Sequence, residues 1–353
     1  MKILHIFDNS NEKFSEPYID FICKNFDSRE HLFFHIGADI RTKKTMRNNM
    51  RFIVKLKYLQ LIREMNSAGK IILHGLFLPR MFLILFLQPW LLKKCYWVVW
   101  GADLYQYRIA KESGKANVNE FIRKLVIRNI GNIATLVKGD YDLAREWYGA
   151  RGKYFKARYI NEESNVYLND LVKIPPVTHE EVRILLGNSA SETNNHFEAL
   201  DILAAFSAEN IRVICPLSYG DNDYRDRVID YGQRVLGDKF SYLDRFYNVK
   251  EYMDILYTVD IGIFNNDRQQ ALGNIFPLLY LGKKVYMKSD TTMWDEIRNV
   301  FGLETFEIGR LSNESFEQFK HISKETSLHN KRIMEGLYNG DYAEEAWSRI
   351  FNN

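Results

Sequence analysis

Short apolar runs that break abruptly into polar loops recur along the chain, at residues 1–7, 32–36, 70–75, 95–100, 182–187, 212–216, 240–242, 260–264 and 283–287, and residues 136–140 repeat the pattern. Runs rich in β-branched and aromatic residues, with no polar alternation, are the mark of parallel strands buried on both faces. Between them lie stretches predicted as helices: 17–25, 52–65, 81–87, 141–148, 197–208, 223–236, 249–257 and 275–281, with a helical tail from residue 314. Strands and helices alternating in this way predict an α/β fold built on parallel sheets. A mixed polar segment over 156–181, carrying Pro175 and Pro176, interrupts the series and predicts the join between two such units. The expected domains are 1–172 and 173–335, with 336–353 a C-terminal helix packing back on the first.

The most informative stretch is 260–287, DIGIFNNDRQQALGNIFPLLYLGKKVYM. A buried strand runs into the polar loop 265–270, and an apolar helix with Pro277 near its first turn follows Gly273 and Asn274. In such a β-loop-α-β unit the helix N-terminus aims unpaired N–H groups and a partial positive charge at the carboxyl ends of the strands, where a diphosphate fits. Asn265, Gln269, Gln270 and Asn274 supply neutral donors and acceptors suited to sugar hydroxyls, and Arg268 can offset charge on a leaving diphosphate. An ordinary βαβ unit with a solvated loop would read the same way from this stretch alone.

In a parallel sheet every strand-end loop opens on one edge, so the other candidates are the polar residues at those ends. In the first half they are Asp8 and Asn9, His74 and Gly75, Trp100, Gly101 and Asp103, and Lys138 and Asp140. In the second they are Gly187, Asn188, Ser189 and Asn195, then Pro216, Ser218 and Tyr219. Asp103 points to the crevice as a general base or serves as a helix N-cap, and His74 is a rival base or a satisfied structural histidine. Asp221-Asn222-Asp223 has the D-x-D form of a metal site, but no third oxygen ligand is near it in sequence, and it reads as an Asx turn opening a helix.

Composition narrows the class. Hydrophobic residues at 46% and charged residues at 26% in 353 positions describe a well-folded protein of two domains. Cys23, Cys95 and Cys215 are too few and too scattered for disulfides or zinc, which predicts a reducing compartment. The N-terminus reads as a strand and not as a signal peptide, so a cytoplasmic chain is expected. The net charge of +3 conceals an asymmetry: 28 Lys and Arg stand against 17 Asp and Glu up to Val172, and 20 against 28 after it. From Arg41 to Arg63 there are eight basic residues and no acidic one. A helix over 52–65 in that context either lies on an anionic membrane surface or is a crossover helix with a solvated basic face. The apolar run 81–87 is far short of the about 20 residues a bilayer span needs, and is read as a buried or shallowly membrane-dipping helix.

Taken together, Trp100-Gly101-Ala102-Asp103-Leu104-Tyr105, His74-Gly75, Leu186-Gly187-Asn188-Ser189 with Asn195-His196, and Arg268-Gln269-Gln270 before Gly273 resemble glycosyltransferase family 56. The resemblance covers most of the chain and is weakest near Arg41 and in the tail. It implies a GT-B architecture, two Rossmann-like domains facing across a cleft, with a nucleotide-sugar on the second and the acceptor on the first. It implies transfer of a deoxyamino sugar, TDP-4-acetamido-4,6-dideoxygalactose (TDP-Fuc4NAc) or a relative, to an undecaprenyl-diphosphate-linked glycan at the inner face of the cell membrane. No cofactor and no metal are expected, and the partners are the nucleotide-sugar, the lipid-linked glycan and an anionic membrane surface, not nucleic acid. In this frame Arg268 and the helix at Asn274 stabilise the leaving diphosphate, Asn188 and Gln270 hold the donor, and Asp103 or His74 takes the acceptor proton. A nucleotide-sugar epimerase or glycerophosphotransferase of the same architecture, or a non-catalytic membrane-surface scaffold, are the rival functions. Asp221-Asn222-Asp223 and the basic stretch from Arg41 depart from the family pattern.

Overall fold

The apolar runs form the inner strands of two parallel sheets: every residue of Ile3–Phe7, Lys70–His74, Cys95–Val99 and Ile261–Phe264 is buried, as strands covered by helices on both faces must be. A computed structural model of the chain describes residues 1–7, 12–36, 50–53, 58–113, 118–338 and 341–353, with the backbone alone for 12–14, 50–53, 112 and 113. The chain divides into a first unit, Met1–Glu162 with Gly340–Asn353, and a second, Glu163–Asn339. The expected boundary at 172 lies instead at the end of a helix of the second unit.

The first unit opens with β1 (Ile3–Phe7), α1 (Glu12–Asn25), β2 (His31–Ile36), β3 (Met50–Ile53), α2 (Tyr58–Ser67) and β4 (Lys70–His74). It continues with α3 (Pro79–Leu87), a 3₁₀ turn at Pro89–Lys94, β5 (Cys95–Val99), α4 (Ala102–Ser113), α5 (Val118–Asn129), β6 (Asn132–Thr135), α6 (Lys138–Tyr148) and β7 (Lys153–Lys156). All pairings are parallel in the order β3-β2-β1-β4-β5-β6-β7, so the chain turns back on itself between β1 and β4. The second unit holds α7 (Glu162–Leu171), β8 (Val182–Leu186), α8 (His196–Ala204), β9 (Ile211–Pro216), α9 (Asn222–Leu236), β10 (Phe240–Leu243), α10 (Val249–Thr258) and β11 (Ile261–Phe264). After these come α11 (Leu272–Tyr280), β12 (Lys284–Met287), α12 (Thr292–Asp295), β13 (Phe306–Glu307), α13 (Phe316–Lys320) and α14 (Lys324–Tyr338). Its sheet runs β10-β9-β8-β11-β12-β13, again parallel, and reverses between β8 and β11. The last helix, α15 (Asp341–Phe351), belongs to the first unit, where Trp347 is wholly buried and packs at 4.8 Å on Tyr18.

Several expected elements shift. The helix expected over 52–65 is two elements: Phe52 and Ile53 extend beside β2 in the edge strand β3, as aromatic and β-branched residues favour, and the helix starts at Tyr58. Of the basic stretch, 41–49 and 54–57 lie outside the described residues. The strand expected at 136–140 lies earlier, at β6, whose polar first residue Asn132 donates to the Cys95 carbonyl at 3.2 Å and disguises the run. The segment read as a linker begins at Lys156, the last residue of β7, and contains the polar helix α7. In α11 the helix begins before the apolar run, so Pro277 stands inside it and Gly273 and Asn274 lie in its first turn.

Candidate active site

In an open parallel sheet the crevice for a ligand lies at the carboxyl ends of the strands where their order reverses. In the second unit that place is flanked by Gly187 and Asn188 after β8 and by Asn265 and Asn266 after β11. The two loops are laced together. The Gly187 amide donates to the Ile263 carbonyl at 2.9 Å, Asn195 Nδ2 to the Asn265 carbonyl at 2.9 Å, and the Asp267 amide to the Thr193 carbonyl at 3.0 Å. Asn194 reinforces the first loop, accepting from the Asn188 amide at 3.1 Å and donating to the Ser189 carbonyl at 3.1 Å. The loop after β9 joins from the other side: the Ala190 amide donates to the Tyr219 carbonyl at 2.8 Å, and Asn188 Nδ2 to the Tyr219 hydroxyl at 2.9 Å. Pro216 is the last residue of β9 and Ser218 is half-buried just beyond it.

Within this lacing, three polar atoms are left over. The side-chain oxygens of Asn266 and Gln269 and the Nε2 of His196 are buried and meet no hydrogen-bonding partner. A buried polar atom without a partner costs about 1–3 kcal/mol, so their grouping at the strand reversal calls for an explanation. His196 is held by its neighbour Tyr224. The Tyr224 hydroxyl accepts from the His196 amide at 3.4 Å and shares a hydrogen bond with Nδ1 at 3.1 Å, so Nε2 is the ring nitrogen left over. Burial holds that imidazole down to about 4. Gly187, at φ 70°, lies against it: a side chain there would begin 2.6 Å from Nε2.

The start of α11 faces the same edge. Ala271 precedes it in the left-handed region, φ 61°, where a side chain is strained, and its carbonyl takes the amides of Asn274 at 2.8 Å and Ile275 at 2.9 Å. The amides of Leu272 and Gly273 belong to the helix mouth. Gly273 is exposed, and a side chain built on it would meet nothing within 4 Å. Arg268 is half-buried beside this opening, its Nη1 donating to the Gln269 carbonyl at 3.3 Å. Burial raises the Tyr219 phenol, while the bonds from Asn188 and Ser189 and the charge of Arg268 act against that rise, which places Arg268 on the Tyr219 side of the crevice.

Two amides expected to hold a donor are otherwise engaged. Gln270 accepts from the Thr193 hydroxyl at 3.0 Å and donates to the Thr193 carbonyl at 3.3 Å, so it fastens one loop to the other. Asn274 accepts from the Tyr252 hydroxyl at 3.1 Å. Asn266, Asn194 and Thr193 were not singled out in the sequence, and His196 entered only with Asn195 in the family resemblance, although the density of amides from 265 to 274 points to the loop that holds Asn266.

In the first unit the two candidate bases are both tied down. Asp103, in the first turn of α4, is wholly buried, and four N–H groups point at its carboxylate: Leu76 N at 3.0 Å and Trp97 Nε1 at 2.7 Å on Oδ2, Trp100 N at 3.0 Å and Leu104 N at 3.1 Å on Oδ1. Burial pushes this carboxyl up, and the Trp97 indole and the three backbone amides pull it back. Asp103 therefore locks the loops after β4 and β5 together, and neither oxygen is turned to a substrate. Both readings of Asp103 made from the sequence are corrected by this: it is not the Ncap of α4, and its base role has no free oxygen.

His74 stands at the reversal between β1 and β4 inside a chain of hydrogen bonds. Trp100 Nε1 donates to the Tyr159 hydroxyl at 2.8 Å, and that hydroxyl is hydrogen-bonded in turn to His74 Nδ1. His74 Nε2 meets His5 Nδ1 at 3.1 Å, and His5 Nε2 meets His31 Nδ1 at 2.9 Å. Each neutral imidazole carries one N–H, so the sense of one bond between the rings fixes the sense of the others. Burial holds His5 and His74 well below the usual imidazole range and His31 down to about 4. With both nitrogens engaged, His74 is no free base; it and Tyr159, which lies in the segment read as a linker, anchor the Trp100 indole. Gly75 and Gly101 both adopt positive φ around that indole, at 81° and 83°.

Lys138 opens α6 and pairs with Asp142 at 2.7 Å, and Asp140 is buried in the same first turn. Asp8 and Asn9 lie outside the described residues. Asp221 is the N-cap of α9, accepting from the Tyr224 amide at 2.7 Å, as the Asx reading of that D-x-D requires. Among the described residues no helix is long and apolar enough to cross a membrane.

The chain matches, over residues 41–339, the model of a family described as 4-alpha-L-fucosyltransferase, glycosyl transferase group 56. Among solved structures it is similar to sucrose-phosphate synthase from Thermosynechococcus elongatus, at 10% identity and a TM-score of 0.70, covering 100% of this chain and 98% of that one. It is similar to a glycosyltransferase from Rickettsia africae ESF-5, at 12% identity and 0.68 over 100% and 99% of the chains. A third is HepE of Anabaena, solved in complex with UDP and glucose, at 10% identity and 0.68 over 100% of both chains. At these identities the likeness establishes the fold, that of the GT-B glycosyltransferases.

Proposed function

The chain belongs to glycosyltransferase family 56 and is a glycosyltransferase; from that premise we propose that it moves a deoxyamino sugar from a TDP-linked donor, TDP-Fuc4NAc or a close relative, to an undecaprenyl-diphosphate-linked glycan at an anionic membrane surface. The observation that carries the donor half is the set of buried, partnerless atoms of Asn266, Gln269 and His196 at the β8–β11 reversal, beside the open mouth of α11. Two oxygens that accept and one imidazole nitrogen suit the hydroxyl and amide groups of a sugar, and a ligand that engages them recovers the cost of burying them. The diphosphate sits over Gly273, where the helix N-terminus and Arg268 supply positive charge, and no metal is needed to neutralise it.

The mechanism follows from the charge. As the bond from the sugar to the diphosphate breaks, negative charge grows on the leaving oxygen, and donors already fixed toward that place stabilise it without reorganising. On the acceptor side, Trp100 presents an indole whose orientation is fixed through Tyr159 and His74. A thermal-shift screen of nucleoside-diphosphate sugars tests the donor, since a ligand bound only by the folded state raises the melting temperature. TDP-sugars are expected to stabilise most, UDP and GDP analogues less, with shifts unaltered by EDTA. Equal shifts for every nucleotide, or shifts that vanish with EDTA, would overturn the assignment. Transfer of radiolabelled sugar to a lipid-linked acceptor then tests the second half.

A further inference from the structure

The first unit carries an apolar face that its own packing does not use. In α3, Leu83, Phe86 and Leu87 recur at the spacing of one helix face and are 46%, 40% and 63% exposed, while Met81, Phe82 and Leu85 of the same helix are buried in the core. The 3₁₀ turn that follows adds Trp90, 61% exposed, with its indole N–H held by Asn66 Oδ1 at 2.9 Å. The neighbouring α5 adds Phe121, 62% exposed. These elements adjoin: Arg123 of α5 lies over the Phe82 ring at 4.5 Å, and Asn66 of α2 donates to Gln88 at 2.7 Å. Single exposed apolar residues need no explanation, but a contiguous group of large ones does.

The charge around the group has one sign. Arg63, Arg80, Lys93, Lys124 and Arg128 are exposed on these same elements. The acidic residues of α2, α3, the 3₁₀ turn and α5 are Glu64 and Glu120, and both are paired, with Lys2 and with Arg123.

We propose that this face of the first unit seats on an anionic lipid bilayer, with the α3 residues and Trp90 entering the headgroup boundary and the basic rim meeting the lipid phosphates. Large apolar side chains beside a polar-tethered tryptophan and a cationic rim are what such a boundary holds. A second copy of the chain fits worse, because a two-fold contact would set this rim of Lys and Arg against itself. The inference rests on the proposed lipid-linked acceptor and deepens it, giving that substrate a surface to arrive from, and it centres the membrane contact on the α3–α5 face.

The test is flotation of the full chain with vesicles of phosphatidylcholine alone or mixed with phosphatidylglycerol, at low and high salt, with no donor or acceptor present. The chain is expected to float with the anionic vesicles. Phe86→Ser with Leu87→Ser should lower partitioning roughly tenfold or more at every salt concentration. Arg80→Gln with Lys93→Gln and Lys124→Gln should lower it by roughly fivefold per residue at low salt, and by far less at high salt. Both variants keep the wild-type melting temperature, since the altered side chains are exposed. No flotation, or flotation that ignores both sets, overturns the proposal. So does loss confined to Lys43→Gln with Lys44→Gln and Arg47→Gln, or a wild-type dimer that the Phe86→Ser, Leu87→Ser variant converts to monomer. Because neither substrate is present, failure here leaves the transferase reading standing; flotation without transfer to a lipid-linked acceptor would remove that reading and leave this one.

Discussion

Gly187 and His196 touch across the first loop of the second unit: a side chain on Gly187 would begin 2.6 Å from His196 Nε2, and the glycine's φ of 70° already places it where side chains are strained. Gly187→Ala is therefore expected to destabilise the second unit by about 1–2 kcal/mol from the backbone alone, and further from the clash. Adding His196→Ala should recover the clash and not the backbone strain. Denaturant melts of the single and double variants check this, and full recovery would show that the backbone term is absent.

Asn266 and Gln269 make the opposite kind of prediction. Replacing Asn266 by Leu or Gln269 by Met removes a buried oxygen that has no partner in the free protein, so stability should hold or rise. Donor affinity should fall by roughly tenfold, the worth of about one good hydrogen bond. Calorimetric titration with a TDP-sugar alongside thermal melts reads both quantities. Lost stability with unchanged affinity would make these groups structural.

Arg268→Ala should lower kcat far more than stability, because the side chain is half-buried at the crevice and not in the core. A donor acting mainly on transition-state charge is worth about 2–4 kcal/mol of barrier. Steady-state kinetics at saturating donor measure it, and an unchanged kcat would take Arg268 out of the site.

Asp103→Asn turns an NH₂ toward N–H groups that now meet a carboxylate. We expect a loss of about 2–4 kcal/mol of stability from unpaired buried donors, with activity falling in step. Collapse of kcat at an unaltered melting temperature would restore Asp103 as a base.

Acid should unfold the first unit early. Burial keeps His5 and His74 neutral well below 6.5 and His31 down to about 4, whereas the unfolded chain takes up those protons near pH 6.5. The stability tied to their neutral form is complete above about pH 6.5 and is lost as pH falls from there toward 4, at up to about 1.4 kcal/mol per pH unit for each histidine. Urea melts at pH 7, 6 and 5 should show midpoints falling ever more steeply, and His31→Gln should flatten the slope by one proton. A level midpoint across that range would contradict the buried chain.

How much of this the sequence reveals depends on the range of the interaction. The β11-loop-α11 unit was legible because strand, amides and apolar helix are contiguous and each obeys a local rule. The roles of Asp103 and His74 were not. An aspartate after a buried strand reads alike whether it caps, catalyses or clamps, and only the fold brings Leu76 N and the Trp97 indole to it. The histidine chain is likewise invisible along the sequence, since His5, His31 and His74 lie on three strands that become neighbours through parallel pairing. Helix α7 was hidden because its sequence, EESNVYLNDL, is polar enough to pass for a connection.

The lid over that histidine chain is α15: Trp347 packs on Tyr18, its indole N–H reaches the Arg158 carbonyl at 2.7 Å, Phe351 lies edge-on to His31 at 4.8 Å, and Lys70 Nζ donates to the Ile350 carbonyl at 3.2 Å. A ribosome makes residues 163–339 before it reaches this helix, so the first unit lacks its last helix until the whole second unit has been made. During synthesis the second sheet can close while the first still has three neutral imidazoles under an open roof. The unit that begins translation therefore waits for the last residues of the chain before its histidines are covered.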